Sequence, residues 1–236
     1  MIKIPLPIII AFILSGCVSY VTPGKRAELD KFVSENMEEN FSAQPSKPFP
    51  ASIAIVRLQG ADYTNHNLER NGGIYGNGSY SAVLVREVEN ENDILIIADL
   101  PQVKDVVFLN KLLLPDKINS HEDVRIAASK LKADLIFVYT FDTKFFYEDQ
   151  SVPLTVVSLG LSPTRKILVS TTASALLIDT RTGYIYGAFE SSAKEVKRST
   201  SWGILESSEK ARLKTEESAF EGLLYELISS WSRILE

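Results

Sequence analysis

The chain has 236 residues, with 25 Lys plus Arg against 30 Asp plus Glu, a formal charge of -5 and one cysteine. That length can bury a sizeable core as one domain or two small ones. Mild acidity excludes a polybasic footprint for nucleic acid or anionic lipid, and a lone cysteine excludes an internal disulfide framework. The first segment in chain order, Met1 to Gly16, carries Lys3, then Ile4 to Leu14 without a charge, then Ser15 and Gly16 before Cys17. About a dozen apolar residues are too few for a bilayer span, which takes roughly 20. A basic start, a short apolar middle and small residues before a cut site make a secretory signal over residues 1–16. Pro5 and Pro7 argue against a stable buried helix there.

Leu14-Ser15-Gly16-Cys17 resembles the lipobox of bacterial lipoproteins. A thiolate attacks an activated lipid donor far more readily than a serine hydroxyl does, which is why this position requires Cys. The resemblance implies a diacylglyceryl thioether on Cys17, cleavage before it and acylation of the new amino group. More than one chain is needed because a single acyl chain binds a membrane only marginally. Val18 after the cysteine, in place of Asp, implies the outer membrane, facing the periplasm. Removing 16 of 236 residues leaves 220 in the mature chain, with no second cysteine.

Residues 17–50 read as a lipidated tether, a short helix and a Pro-rich linker, and residues 51–236 as a single domain. The tether of about eight residues reaches at most roughly 28 Å. Leu29, Phe32, Val33 and Met37 have helical spacing within Lys25 to Glu39, and the three prolines of Phe41 to Pro50 end that helix. Ser52 to Gln59 is a β-branched strand stopped by Gly60. The Asn-, Gly- and Tyr-rich stretch from Ala61 to Tyr80 reads as a long surface loop. Its glycines at 72, 73, 76 and 78 match neither G-x-G-x-x-G nor a P-loop. Ser81 to Val88 and Asp105 to Leu109 are further strands. Asp93 to Leu100 fits a helix capped at Asn92 or Asp93, or a strand.

Ser120 and Asp123 approximate a capping box before a helix with Val124, Ala127, Ala128 and Leu131 on one face. That helix leads into "LIFVYTF", apolar enough for a central strand. Val152 to Leu161 and Lys166 to Ile178 are strand-rich, and Asp179 with Gly183 makes a hairpin turn into another strand. Glu206 to Leu235 is a long helix whose apolar stripe runs through Phe220, Leu223, Leu224, Leu227, Ile228, Trp231, Ile234 and Leu235. Its first part, Glu206 to Glu217, is charged and is expected to project or bend.

"RIAASKLKADLIFVYTFDT", with its A-x-x-L-x-A-D segment, and "ASALLIDTRTGYIYGAFESSAKE", with D-x-x-T-G, resemble the curli-secretion lipoprotein superfamily and the N-terminal domain of the Tol-Pal propeller protein. The likeness covers roughly Ser120 to Glu195. It implies an α+β fold, a mixed β-sheet with helices packed mainly on one face, to which the residue pattern adds the long C-terminal helix. "LNKLLLP" and "VYTFDT" also look like a set of uncharacterised bacterial lipoproteins.

No reactive constellation emerges from the spacing. His66 and His121 belong to no H-E-x-x-H or H-x-H motif, and no G-x-S-x-G marks a nucleophile elbow. Asp134 and Asp142, eight residues apart on one strand, stand roughly 26 Å apart, too far to act as paired acids. Phe141, Phe145, Phe146 and Tyr147 suit a groove or a core edge equally well. The expectation is a non-enzymatic lipid-anchored envelope protein, without cofactor, that binds a protein partner or stabilises an assembly. The alternatives are a subunit of a curli-type secretion channel, and a small-ligand binder or enzyme using the Gly/Tyr-rich loop.

Overall fold

The fold is described from a computed structural model over residues 20–33, 37–46, 49–149, 159, 165–200 and 202–236. Cys17, the signal segment and nearly all of the expected strand Val152 to Leu161 lie outside the described residues. Seven strands form one mixed sheet: β1 (Ala51–Gly60), β2 (Ile74–Tyr75), β3 (Tyr80–Val83), β4 (Val103–Phe108), β5 (Leu135–Asp149), β6 (Arg165–Asp179) and β7 (Ile185–Ser199). Their order is β2-β3-β1-β5-β6-β7, with β4 also on β1. The described helices are α1 (Met37–Ser42), α2 (His66–Asn71), α3 (Glu91–Ala98), α4 (His121–Lys130) and α5 (Ile204–Leu235). The chain is thus α+β, with a 32-residue C-terminal helix.

Strand periodicity divides the apolar residues into two cores. Ile53, Ile55, Phe137, Tyr139, Phe141, Ala175 and Leu177 face Ile97 of α3 and Phe220, Leu223, Leu224, Leu227 and Trp231 of α5. Ala54, Val56, Leu58, Ile136, Val138 and Ile178 face Val124, Ala127 and Ala128 of α4. The "LIFVYTF" segment is central as its composition required, held between β1 and β6. β5, β6 and β7 then continue as a three-stranded antiparallel platform with its far end in register at Asp149, Arg165 and Ser199. α5 covers one face of that platform. On the other face Lys144, Phe146, Glu190, Ser192, Lys194 and Val196 are exposed. A Cβ on Gly222 of α5 would collide with the Ser191 side chain of β7, so helix and strand approach closely there.

The strand expected over Ser81 to Val88 ends at Val83, and four further local expectations change. Lys25 to Glu39 is not one helix: a 3-10 turn spans Leu29–Phe32, and the chain before it is extended. Gly24 N–H donates to Thr64 O at 2.9 Å, Arg26 bridges Gln59, and Ala27 N–H donates to Thr140 Oγ1 at 2.8 Å. The end of β1, the residues after it and the middle of β5 offer backbone and hydroxyl partners that an extended segment satisfies. Leu29 and Phe32 still reach the core, whereas Met37 is exposed.

The Ala61 to Tyr80 stretch contains α2 and β2 and buries Tyr63, Asn65 and Tyr80, so it is not a free loop. Residues 91–98 settle as helix because Asn90, and not Asn92 or Asp93, is the cap. Asn90 Oδ1 accepts from Asp93 N at 3.0 Å, and Asp93 Oδ2 accepts from Asn90 N at 2.8 Å. Finally, the charged first half of α5 does not project. Ser208, Ala211, Arg212, Thr215 and Glu216 are buried, while Ile228, assigned to the apolar stripe, is exposed.

Candidate functional site: a buried charge network under the C-terminal helix

Along α5, Glu209, Arg212 and Glu216 stand at i, i+3 and i+7 and share the face turned to the sheet. β1 brings Arg57 beneath them, and the segment after β3 brings Glu87. All five nitrogen–hydrogen vectors of Arg212 have acceptors in reach. Nε and Nη2 donate to Glu209 at 3.2 and 2.6 Å, Nη2 and Nη1 to Glu87 at 2.9 and 3.5 Å, and Nη1 to Glu216 at 2.7 Å. A planar guanidinium fork is the group suited to holding two carboxylates side-on at once.

Arg57 is the second cation. Its Nη2 donates to Tyr63 Oη at 3.1 Å, its guanidinium lies 4.6 Å from the Phe141 ring centre, and Glu87 and Glu216 approach to 3.6 Å. Asn65 and Asn67, the N-cap and first turn of α2, donate to Glu87 at 2.9 and 2.8 Å. Thr143 donates to Glu216 at 2.9 Å and sits 3.0 Å from Thr171. Tyr139 donates to the buried Glu89 at 2.6 Å.

The environment separates the two glutamates that face Arg212 and Arg57. Burial alone would raise the Glu87 carboxyl, but Arg212 and Arg57, with the Asn67 and Asn65 donors, hold it below the usual carboxylate range. Burial dominates at Glu216 and pushes it up, against the pull of Arg212 and Arg57. Burial also drives the Tyr139 hydroxyl well up. Each carboxylate is tied to a cation and to neutral donors at the same time, which suits a clamp between helix, sheet and loop.

The network reaches the surface through Glu209. Its Oε2 accepts from Tyr20 Oη at 2.8 Å, and the Tyr20 ring packs against His66 and Phe145 with centroids 5.1 and 5.2 Å apart. A cleft of about 540 Å³ opens beside it, lined by His66, Asn67, Arg70, Leu205, Glu206 and Glu209.

The residues singled out from sequence are dispersed. His66 starts α2 and His121 starts α4; among the described residues no group of three His, Cys, Asp or Glu could hold a metal. Asp134 accepts from Ser52 N at 3.1 Å just before β5, whereas Asp142 pairs with Lys144 at 2.9 Å in the middle of that strand and not at its end. Asp179 is a turn residue, accepting from Arg181 N and Thr182 N at 2.9 and 3.1 Å and from the Ser46 hydroxyl at 2.6 Å. The turn ends at Gly183 with φ of 76°. Of the aromatic group, Phe141 is buried, Phe145 supports Tyr20, and Phe146 and Tyr147 are exposed. The Gly-rich stretch packs close to other backbone: a Cβ on Gly78 would collide with Ile118 O.

No family model matches the chain, and no curated protein matches it. Among solved structures, a candidate lipoprotein from Caulobacter crescentus CB15 aligns with a TM-score of 0.32 and 8% identity, covering 47% of this chain and 77% of the other. The lipoprotein GNA1162 from Neisseria meningitidis aligns with a TM-score of 0.29 and 13% identity, covering 72% of this chain and 99% of the other. The expected kinship with the curli-secretion and Tol-Pal group is carried by none of these comparisons.

Proposed function

We propose that the chain is a lipid-anchored protein of the bacterial envelope, attached through Cys17, that acts by binding a protein partner and not by catalysis. The observation that carries this reading is the Leu14-Ser15-Gly16-Cys17 sequence behind an uncharged run too short to span a bilayer. The fold adds support, since Tyr20, three residues after Cys17, is already seated on the domain. The anchor would hold a folded surface against the membrane with little slack. The buried charges support a structural role, because Glu87 and Glu216 are committed to Arg212 and Arg57. The open face of β5, β6 and β7 gives a partner a rigid polar platform, with Asp142, Thr172 and Ser192 in one cross-strand row and Lys144, Ser170 and Lys194 in the next.

A secretion pore built from these strands would need a continuous apolar outer face. β6 and β7 instead spend one face on α5 and present Ser, Thr, Lys and Glu on the other. Metabolic palmitate labelling with membrane fractionation tests the anchor: the wild type should label and sediment with membranes, and Cys17→Ala should do neither. Labelling that persists in Cys17→Ala eliminates the reading. Photo-crosslinkers placed at Thr172 and Ser192 in intact cells test the platform, which is expected to yield a discrete protein adduct absent from a control position on α4.

A further inference from the structure

The far end of the platform, where β5 stops, β6 starts and β7 stops, also holds the start of α5. Large apolar side chains stand in solvent there: Leu159 is 78% exposed, Trp202 75%, Phe146 54% and Val196 52%. Phe146, Leu168 and Val196 are cross-strand neighbours on the open face. Trp202 donates its indole N–H to Leu159 O at 2.9 Å, so its one polar group is satisfied and the remaining ring surface is apolar.

The same end receives the N-terminal chain. Ala27 binds Thr140 in the middle of β5, whereas Tyr20 packs on Phe145, five residues nearer the tip, and on Glu209 in the second turn of α5. The chain therefore runs toward the tip as it is followed back to Cys17. Three further residues reach at most roughly 11 Å, so a lipid on Cys17 lies close to this end.

We propose that this tip is a bilayer-contacting surface: when the chain is anchored through Cys17, Trp202, Leu159, Phe146 and Val196 enter the headgroup region of the same membrane. The inference rests on Cys17 as the anchor point. Trp and other amphipathic rings favour that depth. On the open face the outermost cross-strand row is Glu148, Lys166 and Arg198, which suits headgroups and not hydrocarbon, and long basic stems can lie over lipid with their charges among phosphates. Contact at this end stands the platform upright on the membrane, with its polar open face turned sideways toward a partner.

The single cysteine allows a test that does not depend on cellular lipidation. Residues 17–236 are coupled through Cys17 to a maleimide lipid in phosphatidylcholine vesicles, with or without lipids brominated near the top of the acyl chain. Tryptophan emission should shift to the blue on coupling and lose intensity with brominated lipid. Trp202→Phe should abolish both changes, because Trp231 is buried at the other end of α5 with its N–H on Pro101 O at 2.8 Å. Vesicle-coupled protein with unshifted, unquenched Trp202 overturns the proposal. Failure of Cys17 to label with palmitate in cells would instead overturn the anchor reading, leaving the vesicle result to be judged separately.

Discussion

Replacing Arg212 by Met keeps an unbranched side chain of similar reach and removes every donor that Arg212 supplies to Glu87, Glu209 and Glu216. Two of those carboxylates are almost wholly buried, so water cannot replace the lost partner. Breaking a buried ion pair by removing one member costs about 3 to 5 kcal/mol. For a chain of this size each kcal/mol lowers Tm by roughly 2 to 4 °C, giving a fall of roughly 6 to 20 °C. The loss should depend on pH. In the wild type, Glu87 is held below its unfolded pKa, so its contribution is present above roughly pH 4.3 and is lost as pH falls through the lower folded value. Glu216 is raised, so its contribution is present below roughly pH 4.3 and is lost as pH rises through the higher folded value. Without Arg212, burial pushes both carboxyls up, and protonation relieves the unpaired charge. The deficit of Arg212→Met in urea melts of residues 17–236 should therefore shrink between about pH 8 and about pH 5. A loss below about 1 kcal/mol, or the same loss at both pH values, would refute the assignment of these charges as a clamp.

Other substitutions probe the remaining layers. Leu227→Ala and Trp231→Ala, on the buried face of α5, should each cost about 2 to 5 kcal/mol in the same melts, while the exposed Ile228→Ala should stay within about 0.5 kcal/mol. Asp179→Ala removes the acceptor shared by Ser46, Arg181 and Thr182 and should cost about 1 to 3 kcal/mol. Gly222→Val drives side-chain atoms into Ser191 and should cost about 1 to 3 kcal/mol, seen as an earlier thermal midpoint.

Elements with a strong local signal were legible. The Ser120–Asp123 capping box, the apolar run of β5 and the Asp179–Gly183 turn each follow from neighbouring residues acting on one another, and each stands where the sequence placed it. The extended course of residues 24–27 was hidden because its partners, Thr64, Gln59 and Thr140, are distant in sequence. The charge network was hidden for a related reason. Glu206 to Glu217 reads as a solvated face by composition, and only the arrival of Arg57 and Glu87 from elsewhere makes burial of Arg212 and Glu216 affordable. The i, i+3, i+7 spacing of Glu209, Arg212 and Glu216 was the available signal, set beside a buried-strand pattern in β1 that contains a lone Arg57.

A buried ion cluster is weak evidence for stability, because well-packed apolar replacements are often neutral or stabilising by about 1 to 4 kcal/mol. The cluster here has a second consequence: Arg212 orients Glu209, and Glu209 receives Tyr20. A combined variant, Arg57→Met, Glu87→Gln, Arg212→Met and Glu216→Leu, removes both buried cations together with the two carboxylates that face them, and leaves Glu89 to its Tyr139 donor. It should recover most of the stability that Arg212→Met alone loses. Glu209 would then keep Tyr20 as a partner but lose the two-point contact that fixes its own side chain. The segment that follows Tyr20 should loosen, with faster hydrogen exchange at the Gly24 and Ala27 amides while the β5 core amides stay protected. Unchanged protection at Gly24 and Ala27 would show that the extended segment is held by Thr64 and Thr140 alone. Faster exchange there, in a chain as stable as the wild type, assigns the buried charges to placing the N-terminal segment on the domain and not to holding the domain together.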